Sequence, residues 1–102
     1  MRRATTPTHT FTLPSSVTVG SLQKAVLTYS QNGGTVLQKS LADLTIDSDK
    51  NALYYEMTQD ETNLFAPGKA LAQLRVKNHN GKVFQSQMLW VTVKPALDSE
   101  VI

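Results

Sequence analysis

Two histidines, eight carboxylates and no cysteine are the raw material for chemistry in this 102-residue chain. Asp47-x-Asp49-x-Asn51 has the acidic spacing that opens a calcium-binding loop. Such a loop needs Gly at its sixth position and Glu at its twelfth, where this chain has Ala52 and Thr58. The segment therefore reads as an Asx-rich turn, in which short polar side chains bond their own backbone. His9 and His79 each lack a carboxylate or second imidazole at ligand spacing, so neither is expected to hold a metal or act as a base. Asp60 and Glu61 are adjacent acids, but neighbours on a helical turn do not converge on one substrate atom. Thr58-Gln59-Asp60-Glu61 has the form of a capping box, which gives Glu61 a structural task. No serine lies in a Gly-x-Ser-x-Gly elbow, and Gly33-Gly34 precedes a strand pattern where a phosphate loop would need a helix. The residues predict no catalytic site, no cofactor and no metal, hence a protein that is not an enzyme.

Charge is the next source of function. Ten Lys/Arg against eight Asp/Glu give +2. Arg2 and Arg3 supply that excess, which predicts a flexible basic N-terminal arm over residues 1–7 and a charge-balanced body. Arg75, Lys77 and Lys82 fall near one hairpin. With Tyr54, Tyr55, Phe84 and Trp90 on faces that a core would claim, the balance argues against nucleic acid as a partner. At 40% hydrophobic residues the composition is that of a folded domain, not a disordered chain. Met1-Arg2-Arg3 is followed by no apolar signal-peptide core, and no run approaches the roughly 18 apolar residues of a spanning helix. The expected site of synthesis is the bacterial cytoplasm, with no membrane partner.

These residues have to be positioned by strands. Thr and Val fill about a fifth of the chain, and a two-residue alternation dominates. Strands are predicted at 8–13, 22–31, 35–40, 42–47 (with Leu44 and Ile46 on one face), 52–58, 69–78 and 82–94. Asn32-Gly33-Gly34 and His79-Asn80-Gly81 supply hairpin turns. Between 59 and 65 there is room for one short helical turn, with Leu64 and Phe65 plugging an end of the fold. Pro7 and Pro14 bracket the first strand and mark it as an edge. The last strand has apolar residues on both faces, Val83, Leu89, Val91 and Val93 against Phe84, Met88 and Trp90. A central strand, a bulge or an oligomer interface would each produce that pattern. Seven short strands with regular turns predict an all-β, immunoglobulin-like antiparallel sandwich over 8–94, with a C-terminal tail at 95–102. A small barrel is the alternative fold.

The motifs together resemble a family of small proteins encoded by prophages of gut Firmicutes. The resemblance rests on Arg2-Arg3, Thr5-Thr6-Pro7-Thr8, Phe11-x-Leu13-Pro14, Tyr29-x-Gln31, Val36-Leu37-x-Lys39, Met57-Thr58-Gln59-Asp60-Glu61-Thr62 and Gln73-x-Arg75-Val76. A broader similarity joins Thr62, Gly68-Lys69, Leu74, Val76 and Asn80-Gly81 to the N-terminal immunoglobulin-like domain of phage baseplate upper proteins. The resemblance implies a non-enzymatic tail or baseplate component, virion-associated, that holds other phage structural proteins; the sandwich edges and the two-sided apolar strand add the expectation of a homo-oligomer. Because the chain stops at 102, a scaffold or adaptor role is expected over host recognition. The expected interaction surface is Val83, Leu89, Val91 and Val93 with Arg75 and Lys77. Two alternatives are a small regulatory or nucleic-acid-binding factor and a carbohydrate or cell-wall module using Tyr54 and Trp90.

Overall fold

The structure is a computed structural model and describes residues 1–85, 88–98 and 100–102. Eight strands, β1 (Thr8–Thr12), β2 (Leu22–Gln31), β3 (Gly34–Ser40), β4 (Thr45–Asp47), β5 (Ala52–Glu56), β6 (Gly68–Asn78), β7 (Val83–Gln85) and β8 (Leu89–Val93), form two sheets. One sheet has the order β1-β5-β4; the other runs β3-β2-β6, and both β7 and β8 pair with β6. Every strand pairing is antiparallel. The arrangement is an immunoglobulin-like β-sandwich.

Alternation decides which side chains enter the core. Phe11, Leu53, Tyr55 and Met57 come from the first sheet's side, and Ala25, Leu27, Tyr29, Ala70, Ala72, Leu74 and Val76 from the second. At Asn32-Gly33 the φ angles are +54° and +81°, the left-handed pair that a two-residue hairpin turn needs to match strand twist. Helix α1 (Gln59–Thr62) starts at a complete capping box, with Thr58 Oγ1 accepting from Glu61 N (3.2 Å) and Glu61 accepting from Thr58 N (2.9 Å). Phe65 is buried after it, whereas Leu64 is exposed and plugs nothing; Ile46 likewise points outward while Leu44 is buried.

The expected single strand 82–94 is two strands. Between the β7 and β8 pairings, β6 advances three residues, from Arg75 to Ala72, while the partner chain advances four, from Gln85 to Leu89. One extra residue reverses the inward parity, as a bulge does. Phe84 therefore packs on the core from β7, and Val91 and Val93 do so from β8.

Residues 1–7 are not a loose arm. Lys94 N donates to Met1 O (2.7 Å) and Arg3 N to Lys94 O (3.1 Å), so the N-terminus lies parallel beside the end of β8. The guanidiniums of Arg2 and Arg3 donate to the carbonyls of Pro95 and Asn63. Thr62 Oγ1 donates to Thr5 O and accepts from Thr5 N, closing the segment onto α1. Met1 N also donates to Thr92 O (2.8 Å), so the chain itself covers the end of the β8 edge.

Candidate functional site

Two places concentrate polar or unsupported side chains. The first lies inside the sandwich, where β1, β2, β3, β5 and α1 converge. His9 Nδ1 and Tyr29 Oη are 2.7 Å apart. Tyr55 Oη donates to the Glu61 carboxylate at 2.7 Å, and Lys39 Nζ pairs with Glu61 Oε2 at 2.9 Å while lying 5.6 Å from the Tyr55 ring centre. Tyr29 also meets Phe65 edge to face. Lys39 reaches this cluster because a register shift in β3, between the Tyr29 and Ser30 pairings, leaves Leu37 and Lys39 on the inner side.

Electrostatics in this cluster follow from burial and pairing. Burial, then the nearby Tyr55 and Glu61, raise the Tyr29 phenol well above its ordinary value. Burial and then the positive N-terminus push His9 down, favouring neutral imidazole. Glu61 is held below the usual carboxylate range: burial opposes this, but Lys39, the Thr58 amide and the Tyr55 hydroxyl outweigh it. The hydrogen bond to Glu61 in turn raises Lys39. Tyr29 is buried and the acid is already shared among a cation, a phenol and an amide, so the cluster pins sheet to sheet.

The second place is the outer face of the larger sheet. Its five strands contain Lys24, Lys39, Lys69, Arg75 and Lys77 and not one Asp or Glu. Only Lys39 turns inward. Lys24 and Lys77 are direct cross-strand partners, and Arg75 faces Val26 two pairs along, on the same face. Like charges placed opposite each other cost stability, so folding does not explain this arrangement. Lys24, Val26, Arg75, Val76, Lys77 and Val83 line a shallow depression of about 170 Å³. Towards the other end, Trp90 is 65% exposed opposite Leu71, beside Lys69 and the β2–β3 turn.

The six residues expected to form the interaction surface divide between core and surface. Val83, Arg75 and Lys77 lie together on the outer face. Val91 and Val93 are core residues, at 8% and 2% exposure, and Leu89 packs partly against the core. The parity reversal is the reason. Sequence reading missed Lys24, Val26, Lys69 and Trp90 as members of one face, because their proximity depends on the β2–β6 and β6–β8 registers. It also missed the inner cluster, for which Thr58-x-x-Glu61 was the only local signal.

The other candidates have structural partners. Asn51, at φ +50°, accepts from Val19 N (2.8 Å) and donates to Val17 O (2.7 Å), stapling the 13–19 loop. Asp47 accepts from Lys50 N within its turn. Tyr54 and Trp90 sit on different sheets and cannot form one carbohydrate platform. Among the described residues no three His, Asp or Glu side chains are grouped as a metal site, and no helix is long and apolar enough to cross a membrane.

No family model and no curated protein matches the chain. Among solved structures, it is similar to CopC from Methylosinus trichosporium OB3b at 17% identity and TM-score 0.48, the match covering 72% of this chain and 65% of that one. It is also similar to the V domain of amphioxus IgVJ-C2 at 10% identity and TM-score 0.35, covering 90% of this chain and 95% of that one.

Proposed function

We propose that the chain is a non-enzymatic structural or adaptor domain of a phage, acting in a tail or baseplate through protein–protein contacts made by the outer face of its larger sheet. The observation that carries the contact surface is the acid-free outer face, with four cations around Val26, Leu71, Val83 and an exposed Trp90. An aromatic anchor with aliphatic floor and cationic rim has the composition of a binding patch, and like-charge neighbours are relieved when an acidic partner arrives. The phage assignment rests on the motif resemblance from Arg2 to Val76. It is tested by mass spectrometry of particles released from the source cells: co-purification of the chain with tail proteins is expected, and its absence from particles that carry a complete tail contradicts the assignment.

A second reading, a nucleic-acid-binding factor, is favoured by the same cations beside Trp90. The aliphatic floor supports the protein reading instead, since single-stranded nucleic acid is held on successive aromatic rings. Filter binding of single-stranded oligonucleotides at ~50 mM salt separates the two, because phosphate contacts are strongest there.

A further inference from the structure

Two unsupported features of the chain complement each other. One is the cationic depression on the outer face. The other is the segment after β8, where Leu97, Val101 and Ile102 are exposed and alternate with Asp98 and Glu100. Three of the eight large apolar side chains exposed among the described residues fall in these six positions, which is the pattern of a segment awaiting a surface. Its carboxylates have no cation: among the described residues the only ion pair is Lys39–Glu61. Within its own chain the segment is anchored at its end by Gln59, which donates to Ile102 O and accepts from Ile102 N, both at 2.8 Å.

We infer that the outer-face depression of one molecule takes up residues 97–102 of a second copy, with Asp98 and Glu100 among Lys24, Arg75 and Lys77, and an apolar side chain against Val26 and Val83. The same molecule cannot satisfy its own site. Val93 is paired with Gly68, and Lys77 lies nine residues further along β6, about 30 Å at strand rise. Continuing in the direction of β8, the tail leaves the sheet at the Gly68 end. Glu100 is seven residues past Val93 and spans at most about 24 Å even if fully extended, short of Lys77 and barely enough for the roughly 23 Å to Arg75, and Gln59 holds the end of the tail at α1 instead. Only another copy brings the acids to the depression. Repetition of one tail-to-face contact gives a head-to-tail series, which closes into a ring or continues as a filament. This deepens the structural reading above by naming the partner, a second copy of this chain.

Sedimentation of the full chain tests it. Association is expected at ~50 mM salt and at least about tenfold weaker at ~500 mM, where screening shortens the reach of charge. The tail-reversed variant D98K/E100K and the face-reversed variant R75E/K77E each associate at least about tenfold more weakly, and an equimolar mixture of the two associates again. All four positions are exposed, so circular dichroism should find both variants folded. A fluorescent peptide of residues 95–102 should bind the wild-type chain and not R75E/K77E. The inference is overturned by a chain that stays monomeric at ~1 mM and low salt, or by association that neither reversal changes. It is also overturned if R75E/K77E loses only oligonucleotide binding. A chain found in particles yet strictly monomeric overturns this inference alone; one that associates but is absent from particles overturns the phage assignment alone.

Discussion

Asn51 shows how far one side chain can organise this molecule. It holds a left-handed φ and spends its amide on the backbone of the 13–19 loop. Asn51→Ala should lower stability by about 2–3 kcal/mol in urea unfolding, combining a strained φ with the loss of two backbone partners. Glu61 is the second such residue. E61Q should cost about 2 kcal/mol, because it weakens charge-assisted bonds to Lys39 and the Thr58 amide. With Glu61 depressed in the folded state, its contribution is complete above the ordinary carboxylate value and is lost as pH falls through the folded one. Acid unfolding of E61Q should accordingly lack part of the wild-type slope below about pH 4.5. His9 acts over a different window: its lowered value means the unfolded chain binds the proton first, so stability declines as pH drops below about 6.5. The wild type should lose more melting temperature than H9Q between pH 7.5 and 5.5. Of these roles, capping by Glu61 was legible from four consecutive residues. The Tyr55 and Lys39 bonds were not, since they join residues distant in sequence.

At the level of elements, local alternation located the strands well and the faces less reliably. Ala25-Leu27-Tyr29 and Ala70-Ala72-Leu74-Val76 enter the core as their spacing predicts. Across 82–94 a single alternation runs through a one-residue offset, so Val83 stays outward and Phe84 inward as it predicts, while Val91 and Val93 turn inward and Trp90 outward. A parity error of this kind reverses every later assignment, which is why Val91 and Val93 were expected on the surface. Paired substitutions test the offset. Val91→Ser should destabilise by about 2–3 kcal/mol as a truncated, partly polar core residue, while Trp90→Ser should change stability by less than about 0.5 kcal/mol. Likewise Val83→Asp should be tolerated and Phe84→Asp should not. Equal effects within either pair would contradict the register.

For the molecule as a whole, composition conceals how the charges are distributed. Eight cations and eight acids in residues 4–102 look balanced, yet the acids lie in the smaller sheet, α1, the turns and the tail. The strands of the larger sheet carry cations alone. Segregation of this kind depends on which strands share a sheet, so counting residues cannot reveal it. The excess charge of Arg2 and Arg3 is not free either: their guanidiniums donate to the carbonyls of Pro95 and of Asn63 at the end of α1. What distinguishes the protein is then one crowded cationic face with an exposed indole. The most direct test is to record amide spectra of isotope-labelled chain from dilute to concentrated solution at ~50 mM salt, where charge contacts are least screened. The account predicts shifts confined to the 97–102 segment and to the neighbourhood of Lys24, Val26, Arg75, Lys77 and Val83. Shifts centred on β1, β5 and β4, or none at any concentration, would contradict it.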